Sequence, residues 1–333
     1  MNWNMPKPKD VATLMTTWIA ATLFFPATLP AQNLPTIAIL QGAPGEEKYE
    51  KLFQEWADNF QSACAQADRP ALRIYKPAAG TSPKYQLREW FHKHVEAKSA
   101  DPLWIFLVGH GTYDGKNAKF NLHGPDISAA ELQEWMDPLG NRPVLLINTA
   151  SSSSPFLTKL SATNRIILTA TRSSSEYNAT FLANYLSKNI ASPEADLDQD
   201  GQTSLLEAWL HSNRELADHY KKENRIQTEH SLLDDNSDAK GTEPRSFFGI
   251  LPTTKPDQKT DPDGYRAHQF HLHPSELEKS LTPDQKQARD ALELDIHKLR
   301  RKKEVLTEEE YYEQLETLLR KLGDIYLGTA TEE

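Results

Sequence analysis

The chain has 333 residues, of which 38% are apolar, and a formal net charge of −10. The length gives room for one large or two ordinary domains, and the low apolar share requires some linker or solvated helix. The negative charge argues against nucleic acid and anionic membrane as partners, and a single cysteine, Cys64, excludes an internal disulfide framework.

Lys7 and Lys9 precede an apolar run from Val11 to Ala27, and Pro30-Ala31-Gln32 could follow as a cleavage site. Residues 1–31 therefore read as a signal peptide, which implies a secreted or periplasmic protein with no further membrane contact. An uncleaved anchor is the alternative, and no cysteine follows the run to carry a lipid. Thr36–Leu40 is the first apolar strand. The next segment carries Tyr49, Leu52, Phe53, Trp56, Phe60, Ala63 and Cys64 at helical spacing, so Cys64 reads as a small core residue. Ala71–Tyr75 reads as a strand and Tyr85–His94 as a helix with Leu87, Trp90 and Phe91 inward and His92 and His94 at the surface.

Leu103–Val108 is continuously apolar between Pro102 and Gly109, the pattern of a strand buried on both faces. It stops on Gly109-His110-Gly111, where α/β sheets hold their ligands. Ala118–Leu122 returns as an edge hairpin, and Ser128 with Glu131 forms a capping box. Pro143–Asn148 is the next buried strand, ending in Thr149-Ala150-Ser151-Ser152-Ser153-Ser154. Arg165–Thr171 is another, followed by a helix over Asn178–Ser187. The alternation predicts an α/β fold with a mostly parallel sheet covered on both faces.

Residues 35–230 resemble the caspase-fold cysteine peptidases, within them the legumain branch, in which one strand ends in His-Gly and the next in Ala-Cys. The resemblance implies a caspase-like three-layer sandwich over residues 32–242. It puts His110 on the catalytic histidine, Gly111 on a donor of the oxyanion hole and Ser151 on the nucleophile. It also implies that Thr171 and Glu176 line the specificity pocket. Ser151 stands where the family has cysteine. A cysteine with a pKa of about 8.5 is partly thiolate near neutrality, whereas a hydroxyl needs a base within about 2.6–3.2 Å.

Asp196–Glu207 reads D-L-D-Q-D-G-Q-T-S-L-L-E. Acids at loop positions 1, 3 and 5, glycine at 6 and glutamate at 12 match the spacing of an EF-hand loop. Asp196, Asp198, Asp200, Gln202 and Glu207 are the candidate ligands for a structural Ca2+, and a helix over Thr203–Lys222 supplies the exit side. An acidic helix start favoured by the helix dipole is the plainer reading. Asp234, Asn236 and Asp238 repeat the alternate spacing without a twelfth-position acid, and read as solvated turn chemistry or a second ion contact.

Residues 243–264 read as a partly extended linker before a C-terminal part over 265–333. His268, His271 and His273 fall on a stretch, Tyr265–Leu272, read as a strand; a zinc site there would need a third ligand on one face. Thr282-Pro283 starts one helix, Thr307 and Glu310 cap a second, and together they predict an antiparallel hairpin. Such a hairpin docks on the main domain or on another copy of the chain. Three readings of function follow. One is a peptidase homologue that binds a peptide or protein ligand without strong activity, stabilised by calcium. The second is an active hydrolase using Ser151 and His110, and the third an interaction protein acting through the hairpin at residues 283–327.

Overall fold

A computed structural model of the protein describes residue 1 and residues 34–78, 80–253 and 261–329. The chain divides into two units, Met1–Leu34 and Pro35–Glu333, and all the strands and helices below belong to the second. The signal peptide expected over residues 1–31 lies, beyond Met1, outside the described residues. Among the described residues no helix is long and apolar enough to cross a membrane.

In chain order, β1 (Ile37–Gln41), α1 (Glu47–Gln66), β2 (Ala71–Ile74) and α2 (Pro83–Ala97) lead to β3 (Leu103–Val108). Three short strands follow, β4 (Gly111–Tyr113), β5 (Ala118–Phe120) and β6 (Ile127–Ser128), and then α3 (Ala129–Met136). Next come β7 (Val144–Asn148), α4 (Ser154–Leu160), β8 (Arg165–Thr169), α5 (Leu182–Asn189), α6 (Leu205–Lys222) and β9 (Leu232–Asp234). The small strands β10 (Phe247–Phe248) and β11 (Leu251–Pro252) precede α7 (Tyr265–His268), α8 (Glu276–Ser280), α9 (Pro283–Arg301) and α10 (Glu308–Thr329).

The main sheet runs β2-β1-β3-β7-β8-β9, parallel throughout except that β9 is antiparallel to β8. Alternation along each strand divides the core in two. Ile37, Ile39, Phe106 and Ile147 meet α1, α5 and α6, whereas Ala38, Leu40, Leu107 and Leu146 meet α2, α3 and α4. Helices therefore cover both faces of a mostly parallel sheet, compatible with the three-layer arrangement expected. Cys64 is buried in the first core, where burial pushes its thiol up to about 12 and leaves it inert.

Several local expectations change for tertiary reasons. The hairpin after β3 is not an edge of the main sheet. Both sides of β3 are taken by β1 and β7, so β4, β5 and β6 form their own antiparallel sheet. His94, expected at the surface, is buried, with its Nε2 3.0 Å from the Pro35 carbonyl and the Arg142 guanidinium against its Nδ1. Tyr265–Leu272 is not a strand. The Asp235 carboxylate accepts the N–H groups of Gly264 and Ala267 at 2.9 and 2.8 Å, which starts the turn of α7.

The acidic turn after β9 is not a solvated one. Asp234, Asp235 and Asp263 are all buried. Asp234 closes its own turn on the N–H groups of Ser237 and Ala239, and Asp263 accepts from the N–H groups of Asp235 and Asn236. The stretch expected as a linker thus ends pinned to the sheet. Beyond it, α9 and α10 lie against each other, and the Tyr265 ring packs against His297 with centroids 3.6 Å apart and the planes tilted by 43°.

Burial and the neighbouring Asp235 charge push Asp263 up to about 8. An unfolded Asp releases its proton near pH 3.9. Between those values the unfolded chain has lost a proton that the folded chain keeps. This group's contribution is therefore complete below about pH 4 and declines as pH rises toward 8, by at most about 1.4 kcal/mol per pH unit. Asp263→Asn should remove that slope, so the melting temperature of wild type minus variant should fall steadily from pH 4 to 8. A difference that stays flat with pH rules the assignment out.

Candidate functional site

Parallel pairing of β3 with β7 brings Leu107 opposite Asn148, so the two chains leave the sheet side by side. Thr149 returns its N–H to the Leu107 carbonyl at 3.0 Å, tightening the exit of β7. The next turn brings Ser151 onto Gly111. The Gly111 N–H donates to Ser151 Oγ at 3.2 Å, and the Ser151 hydroxyl donates to the Gly111 carbonyl at 3.1 Å. A side chain at Gly111 would collide with the Ser151 carbonyl oxygen, so close approach explains the glycine. Ser151 is buried, with 2% of its surface exposed.

The His110 side chain packs against α1. Its ring lies edge-on to Tyr49 and Phe53, with centroids 4.6 and 4.9 Å apart. Burial lowers its pKa below the usual imidazole value, and a hydrogen bond to the Pro44 carbonyl works in the opposite direction. The structure thus brings Gly111 and Ser151 into contact, and among the described residues no hydrogen bond joins His110 to Ser151.

The turn after Ser151 is held from β8. Ser152 takes a positive φ of 51° and donates its N–H to the Glu176 carbonyl at 2.9 Å. Thr171 Oγ1 accepts the N–H groups of Ser153 and Ser154 at 2.8 and 3.2 Å. Thr171 is fully buried and anchors the start of α4. Glu176 is partly open, but its carboxylate holds His230, with Oε1 2.6 Å from Nδ1. His230 is a partner that sequence reasoning missed, because only the fold brings it 54 residues back along the chain.

Beside this pair lies a cavity of about 510 Å³ lined by Arg172, Arg214, His230, Glu243 and Arg245. A groove of about 650 Å³ lined by Lys116, Ser154, Lys159 and Ser173 shares Arg172 with it. Glu243 pairs with Arg172 at 3.3 Å and with Arg245 at 3.0 Å.

The acidic loop divides the expected ligands into two sets. Carboxylate oxygens of Asp196, Asp198 and Asp200 lie within 4.8 Å of one another. Gly201 has φ +89°, the sharp turn for which glycine is needed. Three carboxylates this close together are groups that could hold a metal ion. Glu207 does not join them. It is fully buried, accepting from the N–H groups of Leu197 and Asp198 with Oε1 and from Ser204 with Oε2, as the capping box of α6. The Gln202 side chain instead bonds the Asp200 carboxylate and the Ser275 N–H. His268 Nε2 lies 3.1 Å from Asp198 Oδ2, a contact across 70 residues. That bond holds Asp198 below the usual carboxylate range, while burial raises Glu207.

No protein-family model matches the chain, and no curated protein matches it.

Replacing Gly111 with alanine should destabilise the protein by about 1–3 kcal/mol, the usual cost of overpacking. Ser151→Ala, which removes one hydroxyl and its two bonds, should cost about 1 kcal/mol. Urea denaturation compares them, and a Gly111→Ala variant as stable as wild type would show that the two turns are not in contact.

Proposed function

We propose that the protein is a secreted or periplasmic homologue of the caspase- and legumain-like peptidases that binds a peptide or protein ligand without appreciable peptidase activity. The protein so understood has a caspase-like domain over residues 32–242, a linker over 243–264, and a C-terminal part over 265–333 ending in an antiparallel helical hairpin. Support comes from strand order β2-β1-β3-β7-β8-β9 together with His110 and Gly111 after β3 and Ser151 after β7. The observation that carries the loss of activity is the closed pair of hydrogen bonds between Ser151 and Gly111.

Hydrolysis by this site would need Ser151 Oγ to attack a carbonyl carbon while a base removes its proton. The proton is instead directed at the Gly111 carbonyl, and the His110 ring packs against Tyr49 and Phe53 with no hydrogen bond to Ser151 among the described residues. The Gly111 N–H, the expected oxyanion donor, points at the serine hydroxyl itself. Nucleophile and oxyanion donor are thus engaged with each other, and a hydroxyl without a base hydrogen-bonded to it is a weak nucleophile. The basic residues Arg214, Lys116 and Lys159 along the two grooves support a peptide ligand carrying acidic side chains.

A calcium ion held by Asp196, Asp198 and Asp200 is part of the proposal. An ion that binds only the folded loop stabilises it by mass action. Excess chelator should therefore lower the melting temperature, and Asp196→Ala should reproduce the effect. An unchanged melting curve in chelator removes calcium from the reading.

The hairpin carries a second reading as the contact between copies of the chain. Tyr312, Leu319 and Leu327 stand exposed on α10, at 50%, 49% and 68%. Leu319→Glu should then convert a dimer to a monomer in analytical ultracentrifugation, and a wild type that sediments as a monomer ends that reading.

Wild type should leave Asn- and Asp-containing peptides uncut. Ser151→Cys tests the scaffold, since a thiol ionises where a hydroxyl does not. Thiol-dependent cleavage by that variant means a peptidase site with its nucleophile replaced. Cleavage by wild type that is lost in Ser151→Ala or His110→Ala would instead establish an active serine hydrolase.

A further inference from the structure

Asp198 and Glu207 meet His268 where the acidic loop runs into α6. One ligand atom from each of the three lies within 4.8 Å of the others. His268 Nε2 and Asp198 Oδ2, 3.1 Å apart, already stand near the spacing of about 3.3 Å between two donors of a tetrahedral ion with bonds of about 2.0 Å. Both carboxylates are oriented by further hydrogen bonds. Asp198 Oδ1 accepts the Asp200 N–H at 3.2 Å, leaving Oδ2 toward the imidazole. Glu207 Oε2 accepts both the N–H and the hydroxyl of Ser204, and Oε1 accepts the N–H groups of Leu197 and Asp198, so an ion bound by Glu207 shares its oxygen with those donors. The imidazole is positioned in turn by α7, whose first turn is held by Asp235.

We propose that Asp198, Glu207 and His268 form a site for a borderline divalent ion, Zn2+ in the first instance, distinct from the Asp196–Asp198–Asp200 calcium cluster but sharing Asp198 with it. Imidazole nitrogen with two carboxylates suits zinc, which accepts three protein ligands and a water, whereas calcium takes six or more oxygens. The ligands come from two parts of the chain. Asp198 and Glu207 belong to the loop and helix of the α/β body, and His268 to the C-terminal part. The same junction is stitched by the Leu205 N–H to the Phe270 carbonyl at 2.8 Å and the Ser275 N–H to Gln202 Oε1 at 3.0 Å. An ion there fastens the C-terminal part to the body and makes its docking metal-dependent.

The full chain, stripped of metal, is titrated calorimetrically with ZnCl2 alone and with CaCl2 alone. The variants are His268→Ala, His268→Gln and Asp196→Ala. Loss of a ligand should weaken zinc binding by at least the roughly tenfold that loss of an outer-shell partner costs. Both His268 variants should therefore lose zinc affinity tenfold or more and keep their calcium response. Asp196→Ala should do the reverse. His268→Gln can keep a hydrogen bond to Asp198, so it decides the matter if His268→Ala loosens the fold. Zinc should also slow tryptic cleavage around residues 261–301 in wild type and not in His268→Gln. Zinc affinity unchanged in His268→Gln, or no zinc binding by wild type, overturns the proposal. Zinc binding without any calcium response leaves it standing and removes only the calcium reading.

Discussion

A parallel sheet buried on both faces can present side chains to a ligand only at the carboxyl ends of its strands. The rest of this protein follows from that constraint. Apolar runs in β1, β3, β7 and β8 leave the middle of the sheet without polar chemistry, and polar residues gather where the strands stop. Gln41, Asn148 and Thr169 mark those ends and are fully buried. The turns beyond them carry His110, Gly111, Ser151 and the Thr171 hydroxyl that braces α4. Chemistry is concentrated there because backbone leaving a covered sheet has nowhere else to meet solvent.

The second organising device is the buried carboxylate that receives backbone N–H groups from a distant segment. Glu229 accepts from Phe181 and Leu182 and so starts α5. Asp235 does the same for α7, Asp263 closes the turn after β9, and Glu207 ties its own loop to α6. Such groups are costly when charged and unpaired, and well matched when several N–H donors converge on them. Burial raises the pKa of each of these four carboxyls. The C-terminal part is therefore joined to the body through specific polar ties as well as the apolar contacts of Ala267 and Leu272.

The two candidate centres differ in what their turns do with polar groups. The Ser151–Gly111 contact lies between strand ends in the middle of the sheet, while the acidic loop lies before α6 and against α7. Both are built from turns whose shape is set by hydrogen bonds to neighbouring turns. In the first, those bonds engage the groups that catalysis would need free. In the second, they hold the carboxylates of Asp196, Asp198 and Asp200 near one another, each accepting N–H groups of its own loop.

The sequence by itself determined the apolar strands of the parallel sheet and several of the helix starts. Periodicity and capping are local, and Ser128 with Glu131 or Thr282 with Pro283 needs no distant partner to be read. It also placed His110, Gly111 and Ser151 at strand ends, since strand length and turn residues are local too. Only the tertiary structure decided which of these side chains touch. His110 turns toward Tyr49 and Phe53 because α1 covers that end of the sheet, and no pattern near residue 110 encodes that. Tyr265–Leu272 alternates like a strand, yet it winds into α7 because the Asp235 carboxylate, 29 residues before Gly264, supplies the missing cap. His268 and Asp198, His230 and Glu176 are pairs whose members are separated by many tens of residues. Their encounters are set by how the chain packs, and a one-dimensional pattern carries no record of them.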